Sequence, residues 1–127
     1  EIPMTSQLSL MLAGLLLLTG CGSTAYSKHL SKAYSAYDRG DCAEVIVQLS
    51  ETERVSRSRP YLQPEISLLR GQCLERQALY LDAVQVYRYL VDHYPHNEYA
   101  YRAGARLETL RQLGHYDPDK PLTPQVR

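Results

Sequence analysis

The sequence predicts an all-α domain of about five helices, and three observations carry that prediction. Apolar side chains recur at spacings of three and four in each segment beyond residue 26, as one face of a helix requires. No segment shows the period-two alternation of a half-buried strand. The breaks between segments are helix stops and starts: Gly40-Asp41, Pro60 with Pro64, and Pro95-His96-Asn97.

The first helix is expected from about Tyr26 to Arg39, with Leu30, Ala33, Tyr34 and Tyr37 on one side. Gly40-Asp41 ends it. Asp41 with Glu44 resembles a capping box, in which an acid accepts the free amide hydrogens of a new helix. The second helix follows, about Cys42 to Val55, with Val45, Leu49 and Thr52 inward. "SRSRPYLQP" then makes a loop. Pro64 suits the first turn of a third helix, where its missing N–H does no harm. Ile66, Leu69, Cys73 and Leu74 form that helix's stripe. No Gly or Pro lies between Gln72 and Pro95. One helix over 64–94 would be about 46 Å long, longer than a domain of this size can cover, so a turn is placed near Ala78-Leu79. The fourth helix presents Tyr80, Ala83, Val84, Tyr87, Leu90 and Val91. Asn97 caps a fifth, carrying Ala100, Ala103, Leu107 and Leu110 and fading by Leu113-Gly114. Residues 115–127 hold three prolines and read as an irregular tail.

The N-terminal segment is of another kind. Leu8 to Leu18 is apolar or small throughout. It is shorter than the about 20 residues that span a bilayer, and has the length of a signal-peptide core. Thr19 and Gly20 follow, then Cys21, then polar chain. Leu18-Thr19-Gly20-Cys21 resembles the lipobox of bacterial lipoproteins. The resemblance implies removal of residues 1–20 as a signal peptide, a diacylglycerol on the Cys21 thiol and acylation of its new amine. Residues 21–25 become the lipidated cysteine and a short tether of at most about 14 Å. Gly22, where an Asp would favour inner-membrane retention, implies the outer membrane, facing the periplasm. The segment departs from the family in one respect: no Lys or Arg precedes Lys28, with Met4 a candidate first residue. The competing reading is a buried apolar helix ending at Gly20.

Without residues 1–20, 107 of the 127 residues remain, enough for one small domain. They carry all 14 basic residues and all acids but Glu1, a net charge of about +1. That excludes a strongly basic nucleic-acid binder. The 11 tyrosines, with no Phe or Trp, supply apolar bodies with polar tips, useful in a small core and at contact surfaces.

An internal repeat appears when Gly40–Val45 is laid over Ala78–Ala83, an offset of 38 residues. Leu49 then falls on Tyr87, Thr52 on Leu90 and Ala33 on Gly71. Residues 64–97 resemble a tetratricopeptide (TPR) repeat, through Gly71, Leu74, Tyr80, Ala83, Tyr87 and Pro95. Residues 26–59 match at Ala33 and Gly40 but depart at Cys42 and Val45, and four extra residues link the two units. Ala78 stands where the turn glycine is expected. Residues 98–113 resemble the first helix of a third unit. The resemblance covers about 88 residues. It implies a TPR-like α-α superhelix of about two and a half helix-turn-helix units over residues 26–114. In such a stack Cys42 and Cys73 approach, and a disulfide between them would fit an exported protein. Two buried free thiols are the alternative.

No nucleophile elbow, zincin motif, P-loop or C-x-x-C occurs, so no enzyme is expected, and no cofactor beyond the covalent lipid. His93 and His96 flank Pro95, which breaks their common face, so they read as loop histidines rather than metal ligands. Arg54, Arg57 and Arg59 read as a solvated loop, or as a patch that touches anionic headgroups. The TPR resemblance implies a partner-binding groove along the first helices: Tyr34, Tyr37, Asp38, Leu68, Gln72, Glu75, Arg76, Tyr99, Arg102 and Arg106. The expected role is a membrane-anchored adaptor or assembly factor holding another envelope protein. The alternative is a structural subunit whose groove is filled by a second copy or by Leu122 and Val126 of its own tail.

Overall fold

The computed structural model describes the backbone of residues 21–122, and side chains from Thr24 onward. The signal-peptide expectation on residues 1–20, the lipid on the Cys21 side chain and the placement of Val126 lie outside the described residues. The described chain is all-α. Its helices are α1 Cys21–Asp38, α2 Cys42–Val55, α3 Gln63–Arg76, α4 Tyr80–His93 and α5 Glu98–Gln112. A 3-10 turn, Pro60–Leu62, leads into α3. Consecutive helices pack side by side, and α3 also meets α5.

Helix α1 starts five residues earlier than its apolar stripe predicts. Residues 21–25, expected as a tether, are its first turn. Gly22 through Ala25 contains no proline, and adding a turn to an existing helix costs far less than nucleating one.

Two apolar clusters hold the stack. Ala33 and Ala36 of α1, Cys42, Val45 and Leu49 of α2, and Ile66, Leu69 and Cys73 of α3 form the first. Leu68 of α3, Ala83, Val84, Tyr87 and Leu90 of α4, and Ala100, Ala103 and Leu110 of α5 form the second. Helix α3 therefore carries apolar residues toward both sides, as a central helix must. Each buried aliphatic side chain contributes about 1.5–3 kcal/mol. Small residues set the close crossings. A Cβ on Gly71 would lie 2.9 Å from Cζ of Tyr87, and nearer still to its Cε1. Tyr87 is wholly buried there. The Cys42 and Cys73 sulfurs are bonded, with their Cα atoms 5.5 Å apart, which ties α2 to α3.

The starts of the helices follow the sequence. The Asp41 carboxylate accepts from the Glu44 amide at 3.1 Å, and the Asn97 side chain accepts from the Tyr99 amide at 2.8 Å. Pro64 sits in the first turn of α3, and the Gln63 amide is satisfied by the Pro60 carbonyl. The ends of α1, α3 and α5 share one turn. Asp41 N–H donates to Ala36 O, Leu79 N–H to Leu74 O and His115 N–H to Leu110 O, each at 2.9 Å. The residue before each donor is left-handed: Gly40 at φ 76°, Ala78 at φ 58° and Gly114 at φ 79°. This is the Schellman ending, in which positive φ brings the chain back onto the last carbonyls.

Ala78 pays the Cβ penalty that glycine avoids at the other two positions. Ala78→Gly is therefore expected to stabilise the domain by about 1 kcal/mol, less the entropy of a freer unfolded chain. Urea unfolding reads the shift, and Gly40→Ala should move the midpoint the opposite way.

Candidate functional site

The three helices with this shared ending, α1, α3 and α5, are the ones expected to line a groove. A pocket of about 430 Å³ lies across them. Tyr37 from α1, Gln72, Glu75 and Arg76 from α3, and Arg106 and Leu110 from α5 line it, together with Tyr80, Leu113 and His115. Five of the ten expected groove residues thus meet in one hollow: Tyr37, Gln72, Glu75, Arg76 and Arg106.

Their side chains hold one another. The Arg76 guanidinium lies 3.4 Å from the Tyr37 ring centre, a cation–π stack, and Arg76 donates to the Tyr37 carbonyl. Glu75 accepts two bonds from Arg106, at 2.9 and 2.6 Å, and a third from the buried Tyr87 hydroxyl at 2.7 Å. Burial pushes the Glu75 carboxyl up. The hydrogen bonds from Arg106 and Tyr87, with the Arg106 charge, outweigh burial and hold it below its ordinary range. The same geometry, led by burial, raises the Tyr87 hydroxyl. Glu75 is thus a charged carboxylate in the pocket lining, beside the exposed Arg76.

A second constellation lies toward the other end of the same helices. The Tyr34 hydroxyl donates to Glu65 at 2.7 Å, linking α1 to α3. Burial, then the Glu65 hydrogen bond and charge, raises the Tyr34 hydroxyl, and burial with Glu65 raises that of Tyr99. The Arg102 guanidinium stands 5.9 Å from the Tyr99 ring centre. Tyr34, Tyr99 and Arg102 therefore gather around Glu65 rather than in the pocket.

Two expected residues fall elsewhere. Leu68 is 2% exposed and belongs to the second apolar cluster, because α3 turns this side chain toward α4 and α5. Asp38 is exposed at the end of α1 and does not line the pocket. Conversely, sequence reasoning missed Glu65, the acceptor at the second constellation. Its signal was present: it precedes the pocket residue Gln72 by seven residues, two helical turns. Tyr80, Leu110, Leu113 and His115 were also missed as lining residues. His115 reaches the pocket because its ring stacks on Tyr80, centres 3.6 Å apart.

Of the described tail, only His115 borders this pocket. Tyr116 and Leu122 pack against the second cluster, and residues 116–122 border a separate hollow beside Ala78 to Asp82. His93 stacks on Tyr89 with ring centres 4.1 Å apart. Among the described residues no three His, Cys, Asp or Glu side chains are grouped to hold a metal ion. No described helix is long and apolar enough to cross a membrane.

The arrangement can do one thing well. It gathers aromatic faces, guanidinium groups and held carboxylates contributed by α1, α3 and α5, groups suited to polar and aromatic contacts. Comparison with protein-family models, with curated proteins and with solved structures returns no match.

Proposed function

We propose that this chain is a non-catalytic, lipid-anchored adaptor of a bacterial envelope, with a TPR-like groove that holds an extended segment of another envelope protein. The observation that carries this reading is the pocket of about 430 Å³ shared by α1, α3 and α5. The thrice-repeated helix ending supports the TPR-like repeat, since it recurs at residues 40, 78 and 114. The Leu18-Thr19-Gly20-Cys21 motif supports the anchor on Cys21, and Gly22 supports the periplasmic face of the outer membrane. The covalent lipid is the one prosthetic group in this reading.

The test is crosslinked capture from envelope membranes. Tyr37→Ala with Arg102→Ala removes one contact residue at each end of the groove. Both residues lie at the surface or partly so, and thermal melting checks that the fold is retained. Loss of the captured partner is expected, by tenfold or more if each residue carries about 1 kcal/mol or slightly more. Unchanged capture by the folded double variant removes the groove from the reading. In parallel, Cys21→Ser should abolish labelling by a fatty-acid analogue and release the protein from membranes.

A further inference from the structure

The arginines of the Val55–Pro60 loop have no part in the groove, yet the fold gives them a defined place. Helix α1 runs unbroken from Cys21. Tyr26 lies five residues on, about 7–8 Å along the axis. The Arg59 guanidinium stands 5.4 Å from the Tyr26 ring centre, so the loop is seated on the first turns of α1. The loop is also built rather than slack. Ser56 is buried and its hydroxyl donates to Thr52 O, Arg59 N–H donates to Ser56 O at 2.8 Å, and Leu62 N–H to Arg59 O at 3.1 Å.

The carboxylates of α2 and α3 nearest the loop in sequence are engaged. Glu51 is paired with Arg54, Glu53 with Arg70, and Glu65 accepts from Tyr34. These carboxylates are thus engaged within the domain. Arg57 is exposed, Lys28 is exposed on the first turns of α1, and Tyr61, 68% exposed, stands just past the loop. Arg57 and Arg59, with Tyr61 two residues further on, supply the chemistry of a membrane interface: cations for phosphates, an amphipathic ring for the headgroup layer.

We propose that this end of the domain, with Arg57, Arg59 and Tyr61 as its contacts, rests on anionic phospholipid headgroups of the membrane that carries the anchor. The proposal rests on the anchor part of the function proposed above. The helical start of α1 places the patch about one Debye length from residue 21, close enough for the charges to act at physiological salt. The pocket residues Tyr37 and Arg76 lie at the opposite ends of α1 and α3. Resting on lipid at this end leaves them facing away from the surface.

The test is co-sedimentation of the full chain with vesicles of phosphatidylcholine alone and with about a third phosphatidylglycerol, an anionic content that draws basic residues to the surface. Binding to the neutral vesicles measures the N-terminal segment and any lipid it carries. The excess on anionic vesicles measures the patch. An excess of about tenfold is expected at low salt, on the order of fivefold per arginine in favourable placement, fading as salt is raised. Arg57→Gln with Arg59→Gln should abolish the excess and leave neutral binding unchanged. Arg57→Glu alone, at an exposed position, should lower it without touching the Arg59–Tyr26 stack. Equal binding to both vesicles by the wild type overturns the proposal, as does an excess that survives in the double variant. Fatty-acid labelling of Cys21 is read on the same preparation. Its absence removes the anchor reading, while the vesicle comparison alone decides the patch.

Discussion

Reducing the Cys42–Cys73 bond is expected to lower the stability of the folded chain by about 3–4 kcal/mol, the cost of freeing a loop of this length in the unfolded state. The two cysteines are 31 residues apart and join α2 to α3. That contact closes one unit of the stack onto the next. It also spans the 56–62 connection, the longest between helices in the described chain. The bond therefore constrains the part of the unfolded chain that the helices themselves constrain least. Urea unfolding with and without reductant measures the effect. The midpoint should fall by about 2 M for a denaturant slope near 1.5 kcal/mol/M, and the slope should rise as the opened chain exposes more surface. Cys42→Ala with Cys73→Ala should behave like the reduced wild type and ignore reductant. A midpoint indifferent to reductant in the wild type would show that the bond is not formed in the protein being unfolded.

The second large effect is expected at Gly71. The position admits no side chain, because Tyr87 occupies the space above it with Cζ and Cδ1 2.9 and 3.0 Å from where a Cβ would stand. Tyr87 cannot easily swing aside. Its ring is wholly buried and its hydroxyl is held by Glu75. Gly71→Ala must push α3 and α4 apart or move the ring off its carboxylate. The helix propensity gained, about 1 kcal/mol, is offset by overpacking. A net loss of about 1–3 kcal/mol is expected, read as a lowered midpoint with the denaturant slope unchanged. A smaller partner should restore part of it: Gly71→Ala with Tyr87→Leu should be less destabilised than the sum of the single changes. Additivity, or a stabilised Gly71→Ala, would show that the crossing is looser than the contact distances state.

The helices were legible because each carries its own signal. Val45, Leu49 and Thr52 mark the buried side of α2, and all three are fully buried. The break at Ala78-Leu79 was recoverable from length alone, and the structure places the left-handed residue there. The start of α1 was not recoverable. Gly22-Ser23-Thr24-Ala25 has no apolar stripe and so leaves no periodic trace. The site was half legible. The TPR resemblance implies Tyr37, Gln72, Glu75, Arg76 and Arg106 as groove residues of three helices, and these five line one pocket. Leu68 failed because α3 has two inward sides, and spacing along one helix does not say which neighbour a side chain meets. Glu65 stands alone in the first turn of α3, where an acid is common and marks no site. Only the fold brings the Tyr34 hydroxyl to it.

Helix α3 belongs to both apolar clusters. Neither the front hairpin nor the rear one possesses a complete interior of its own, so pulling either away strips the shared helix on that flank and lays Ile66 and Leu69, or Leu68, open to water. The halves consequently melt together rather than in turn. Whatever settles on Gln72, Glu75 or Arg76 leans on the one element whose displacement would dissolve the entire scaffold.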